Sequence, residues 1–101
     1  IGYAGAEQLR ARPKIAAYGI AKTGVILYSK ALALSEAASG LTVNVVSPGV
    51  AANSVTQPLK ELPMGRVARL DEIVAAVKYF LSPAADYVTG VTLEVAGGWN
   101  V

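Results

Sequence analysis

The stretch "AAYGIAKTGV", residues 16–25, holds one tyrosine and one lysine four positions apart among small and apolar neighbours. It lies in a longer run, "KIAAYGIAKTGVILYSKALALSEAAS" (residues 14–39), whose length and composition predict a helix entered past Pro13 and stopped at Gly40. In a helix, positions i and i+4 share a face, so Tyr18 and Lys22 project side by side. An ammonium beside a phenol favours the phenolate, which lets the phenol give up and recover a proton readily. A carbonyl whose carbon accepts hydride needs such a proton donor at its oxygen. The bland reading of the same pair is a packing tyrosine and a lysine whose stem snorkels to water. The helix is also apolar on more than one side. Ile15, Ile20, Val25, Ile26, Leu27, Leu32 and Leu34 cannot all point one way at about 100° per residue, so we expect cover on two sides, a sheet on one and a second copy of the helix on the other.

The composition agrees with a segment that expects company. Of 101 residues, 53% are hydrophobic and only 16% charged, more apolar than a freestanding domain of this size usually is. The chain opens on Ile1 with no initiator methionine, and we expect either covering chains or a longer parent protein. Cysteine and histidine are both missing, which excludes disulfides, thiol nucleophiles, Cys/His zinc sites and histidine-based triads. Chemistry here falls to Tyr, Lys, Ser/Thr, Asn or carboxylates; no metal site is expected. A net charge of +2, without aromatics interleaved among the basic residues, gives no nucleic-acid footprint. Lys22, Lys30 and two glycines interrupt the longest apolar region, Ile15 to Leu34, so no membrane span is expected. A soluble, reduced compartment, the cytoplasm, suits this composition.

Along the rest of the chain, "IGYAGAEQ" (1–8) reads as the tail of a strand followed by a loop, and "LRARPK" (9–14) as a charged entry to the helix. The basic group Arg10, Arg12 and Lys14 is either a solvated loop or a greeting for an anionic substrate handle such as a carrier protein. "LTVNVVSPG" (41–49) is β-branched and closes on Pro48-Gly49, a buried strand that breaks sharply into a loop. Val50 to Arg69 lacks periodicity and is long for a connection, the mark of a functional lid. "LDEIVAAVKYFLSP" (70–83) returns to helix, with Asp71 and Glu72 in its first turn and Ile73, Val74, Val77, Phe80 and Leu81 as its apolar stripe. A last strand spans Val91 to Ala96 before a glycine pair. Strand, helix, strand, helix, strand implies right-handed crossovers and a parallel sheet.

"YGIAKTGV", then "ALALSEAASGLTVNVVSPGV", then "PMGRVARLDEIVAAVKYFLSPAADYVTGVTLEVAGGW" occur in the order and spacing of the short-chain dehydrogenase/reductase family. Over nearly its whole length the chain resembles the C-terminal part of the classical type, with 3-oxoacyl-acyl-carrier-protein reductases among the relatives. The resemblance implies an α/β fold, the C-terminal part of a Rossmann-type doubly wound parallel sheet, with residues 1–101 forming part of a single domain. It implies an oxidoreductase passing hydride between NAD or NADP and a carbonyl or alcohol, with no means of telling the two coenzymes apart. By position Tyr18 matches the catalytic acid/base, and Lys22 the lysine that favours its phenolate and binds the nicotinamide ribose. Pro48, Gly49, Ala51 and Asn53 match the nicotinamide-side segment, Asn53 standing where most relatives have threonine. Val50 to Arg69 matches the substrate loop. Asn44 matches an asparagine of the strand, for which backbone bracing is the expected role. The family also builds dimers and tetramers, so a homo-oligomer is expected.

Two departures matter. Relatives place a serine at the end of the strand before the helix to bind the substrate oxygen. Here no serine or threonine precedes Tyr18, and Tyr3 occupies that place across a slightly longer loop, to donate the same hydrogen bond or simply to pack. The glycine-rich phosphate-binding turn is also missing: "AGG" at 96–98 follows a strand but opens no helix. Two alternatives follow, a noncatalytic, self-associating fragment and a reductase of pteridines or similar rings, where the usual serine is likewise replaced. Enoyl reductases of the family fit less well, because they space tyrosine and lysine farther apart.

Overall fold

The computed structural model describes residues 1–100. Its centre is a pair of short parallel strands, β1 (Val45–Pro48) and β2 (Thr92–Val95), in register from Val45 opposite Thr92 to Pro48 opposite Val95. The first residues lie along the other edge of β1. There Gly2 N–H donates to the Val46 carbonyl (2.7 Å) and Ala4 N–H to that of Pro48 (3.2 Å). The expected strand tail is thus present as backbone pairing, although too few bonds form for a full strand.

Two helices cover the sheet. Helix α1 (Ala16–Glu36) follows a single 3-10 turn, Pro13–Ile15, with Pro13 in its first position, and runs through another, Ala37–Ser39, to Gly40 in the left-handed conformation. Helix α2 (Leu70–Phe80) has Asp71 and Glu72 in its first turn, where carboxylates oppose the helix dipole favourably. Successive strand residues point to opposite faces. Val45 packs with Ile26 of α1 and with Ala6, while the neighbouring Val46 shares a groove with Val77 and Phe80 of α2. The helices therefore sit on opposite faces of β1, as a doubly wound sheet requires.

The cover is incomplete. On α1 only Ile26 and Ala33 are buried, whereas Ile20, Leu27 and Leu34 are 74%, 69% and 83% exposed, so the second apolar side faces solvent. On α2 the apolar stripe is less covered than expected: Ile73, Val77 and Phe80 are half-buried, but Val74 and Leu81 are exposed. Asn44 braces backbone, its amide donating to the Val88 carbonyl (2.9 Å) and accepting from Val91 N–H (3.2 Å). The segment 50–69 is pinned at its ends, where Ala52 N–H donates to the Ala68 carbonyl and Ala68 N–H to that of Val50, both at 2.9 Å.

Gly49 closes β1 where no side chain fits. A Cβ there would lie 2.8 Å from Ala96 Cα and 2.9 Å from Ala96 Cβ, a collision with backbone that cannot rotate away. Gly49→Ala should therefore pry the strand ends apart and cost about 1–3 kcal/mol in urea unfolding. A stability equal to wild type would remove this constraint.

At the start of α2, Arg66 and Glu72 form two hydrogen bonds (2.9 and 2.7 Å), and Arg69 N–H donates to the same carboxylate (2.8 Å). The Arg66 bonds, then the Arg69 amide, hold the Glu72 carboxyl down from 4.5 to about 2. A depressed carboxylate stabilises the fold above its ordinary titration range and loses that contribution as pH falls through the folded-state value. The stability gap between wild type and Glu72→Gln should thus be full at neutral pH and shrink between pH 4.5 and about 2. A gap constant over that window, measured by urea unfolding, would contradict the assignment; the site is exposed, so the gap is small.

Candidate active site

Four segments meet at the C-terminal ends of the strands. The loop after Gly2 is tied to α1 by Thr23 Oγ1 donating to the Ala6 carbonyl (2.9 Å) and by the Lys30–Glu7 ion pair (2.8 Å). It is tied to β2 by Gly5 N–H donating to Glu94 Oε1 (2.7 Å). Between this loop, the first turns of α1, the Pro48–Gly49 break and the turn after β2 lies an open cleft of about 310 Å³. Tyr3, Tyr18, Lys22, Pro48 and Gly49 all line it, joined by Val50, Ser54, Thr56 and Trp99.

Tyr18 and Lys22 stand side by side. The Lys22 ammonium lies 5.6 Å from the Tyr18 ring centroid, and Tyr18 is 47% exposed on the cleft side rather than sealed in the core. Lys22 Nζ also donates to the Ile1 carbonyl (3.3 Å), and both residues line the cleft. Tyr3 meets Tyr18 edge to face, with centroids 5.3 Å apart at 83°, and meets Trp99 in the same manner at 6.1 Å and 88°. The Arg12 guanidinium sits 5.5 Å from the Tyr3 ring centroid and donates to the Gly5 carbonyl (3.1 Å). Arg12 is thereby engaged with the loop, whereas Arg10 and Lys14 are exposed.

Ala51 and Asn53 lie outside the cleft lining. Ala51 is buried, with its N–H donated to Ser54 Oγ (3.0 Å), and Asn53 is exposed in the turn that follows. Sequence reasoning passed over Trp99, Ser54 and Thr56. The two hydroxyls fall in the segment expected to meet substrate, but nothing in an aperiodic loop says which residues turn inward. Trp99 stands 81 positions after Tyr18, and only the turn behind β2 brings it back.

The polar groups could hold the nicotinamide end of a dinucleotide: an ammonium, two phenols and two hydroxyls around a cleft lined also by a strand-end glycine that admits no side chain. Among the described residues, no group of three or more His, Cys, Asp or Glu is placed to hold a metal ion. No helix among them is long and apolar enough to cross a membrane.

The chain is similar in sequence and in fold to known proteins. A family model described as enoyl-(acyl carrier protein) reductase matches residues 1–100. The chain is 42% identical over 92 residues to nodulation protein G of Azospirillum brasilense, and 42% identical over 90 residues to the 3-oxoacyl-(acyl-carrier-protein) reductase FabG of Haemophilus influenzae. These alignments cover 82% and 80% of the chain but only 37% of either relative, so the chain spans little more than a third of their length. Among solved structures, the 3-ketoacyl-(acyl-carrier-protein) reductase of Brucella melitensis complexed with NADH superposes with a TM-score of 0.84 at 30% identity, over 98% of this chain and 43% of that one. Acetoin dehydrogenase YohF of Salmonella typhimurium superposes with a TM-score of 0.84 at 30% identity, over 96% and 40%. Its motifs, its parallel strand pair between two helices and these relatives together establish that the chain belongs to the short-chain dehydrogenase/reductase family of oxidoreductases.

Proposed function

We propose that the complete protein carrying this chain is an NAD(P)-dependent oxidoreductase that interconverts a carbonyl and an alcohol, residues 1–101 being the C-terminal part of its single Rossmann-type domain. The observation that carries this reading is the placement of Tyr18 beside Lys22 on the wall of an open cleft. The bound nicotinamide would supply or accept the hydride. Tyr18 gives the proton to the carbonyl oxygen, or takes it from the alcohol in the reverse direction. Lys22 stabilises the phenolate left behind and binds the ribose. Tyr3, in the place usual for serine, donates a hydrogen bond to the substrate oxygen. Backbone groups of Pro48 and Gly49 hold the nicotinamide side, with Ala51 and Asn53 next along the same segment. The names of the relatives suggest a 3-oxoacyl thioester as one candidate substrate, and the cysteine-free composition is compatible with the cytoplasm as its compartment. The enoyl description of the matching family model points to a related acyl chemistry.

Replacing Tyr18 by Phe in the complete protein removes the transferable proton and little else. Turnover of a carbonyl substrate with NADH or NADPH should fall at least about a hundredfold, with coenzyme binding retained. Turnover near wild type would refute the acid/base assignment.

A second reading, self-association through α1, rests on a separate observation. Ile20, Leu27 and Leu34, seven residues apart, form one exposed apolar stripe. We propose that a second copy of the helix covers this stripe in a homodimer or homotetramer. In sedimentation equilibrium, Ile20→Glu with Leu27→Glu should shift the complete protein towards monomer. An unchanged mass would show that something other than a second copy covers the stripe.

A further inference from the structure

Of the three rings at the cleft, two already have other work. Tyr3 is half-buried, flanked edge to face by Tyr18 and Trp99, and has the Arg12 guanidinium over its ring. Tyr18 must keep its hydroxyl at the reacting oxygen. Trp99 lines the same cleft, is only partly buried, and has no duty in the proton or hydride step.

Its position is firmly set. The Trp99 backbone N–H donates to the Ala96 carbonyl (3.0 Å) across Gly97 and Gly98, whose φ values of 59° and 82° are ones that side chains rarely allow. The two glycines pass under Met64 and Pro63, where added Cβ atoms would lie only 3.2 Å from the nearest side-chain atoms. The backbone that carries the indole is thus fixed by a tight turn beneath the substrate-side segment, and the ring itself rests edge to face on Tyr3.

We propose that Trp99 is a specificity-determining residue, and that the cleft favours planar ring carbonyl compounds over flexible straight-chain ones. Rings gain from offset or edge-to-face contact with an indole beyond the area they bury, whereas an alkyl chain gains area alone. The apolar wall continues through Ile1 and Val50, and the polar groups at the cleft, Ser54, Thr56 and the Tyr18 phenol, can orient a single carbonyl. This inference rests on the oxidoreductase reading and departs from the 3-oxoacyl thioester that the relatives' names suggest, placing ring ketones ahead of it.

The test compares 1-tetralone, a bicyclic aryl ketone, with a straight-chain 3-oxoacyl thioester in the complete protein, as wild type, Trp99→Leu and Trp99→Phe. The ratio of kcat/KM for tetralone to that for the thioester should fall about tenfold in Trp99→Leu, through KM for tetralone, and should largely recover in Trp99→Phe. A ratio unchanged within about twofold, or a Phe variant as impaired as the Leu variant, overturns the proposal. If the wild type turns over neither compound with NADH or NADPH, the oxidoreductase reading fails instead. Calorimetric titration with tetralone then still decides the role of Trp99: about tenfold weaker binding in Trp99→Leu upholds it, and equal binding or none in wild type overturns it.

Discussion

The pairing of β1 along both edges is the constraint from which the rest of the chain takes its position. Val45–Pro48 bonds to β2 on one side and receives N–H groups from Gly2 and Ala4 on the other. Four residues thereby fix two further stretches of backbone that are distant in sequence. Because neighbouring valines point to opposite faces, Val45 and Val46 also decide which helix lies where. Remove the close approach at Gly49 and the strand ends separate at the very edge that lines the cleft.

The cleft follows from this arrangement. Parallel strands all end on the same side, and open α/β sheets gather ligand sites just beyond those ends. Here the Gly2–Ala6 loop, the Pro48–Gly49 break and the turn after β2 deliver Tyr3, a side-chain-free lining and Trp99 to one place. Helix α1 adds Tyr18 and Lys22 from above, oriented by the sheet-facing Ile26 and by the Thr23 tie to Ala6. The site is therefore a consequence of strand order, and each of its side chains rests on backbone held by hydrogen bonds elsewhere.

Much of this was legible in the sequence because the signals were local. Helical spacing placed Tyr18 beside Lys22, and the β-branched run ending in Pro-Gly marked β1. Acidic residues before an apolar stripe marked α2, and Asn44 proved to brace backbone as its resemblance implied. The features that escaped are those that depend on long-range return of the chain. Nothing near Trp99 says that it will face Tyr3, and nothing in the 50–69 segment singles out Ser54 and Thr56 rather than Asn53. The first residues read as the tail of a strand followed by a loop, and their two donated bonds to β1 place them along its edge. The outward stripe of α1 was read correctly as apolar, but periodicity alone cannot name its cover.

The central claim is that Tyr18 and Lys22 act as one unit, and a double-mutant cycle on turnover tests it most directly. Tyr18→Phe, Lys22→Met and the double variant of the complete protein are compared under the same coenzyme and substrate. If the lysine works through the phenol, kcat of the double variant at saturating coenzyme should be about as low as that of Tyr18→Phe alone, since the lysine has no phenolate left to support and its hold on the ribose is saturated out. Losses that simply multiply would mean that the two residues act independently, and would contradict a shared proton-transfer unit at the cleft.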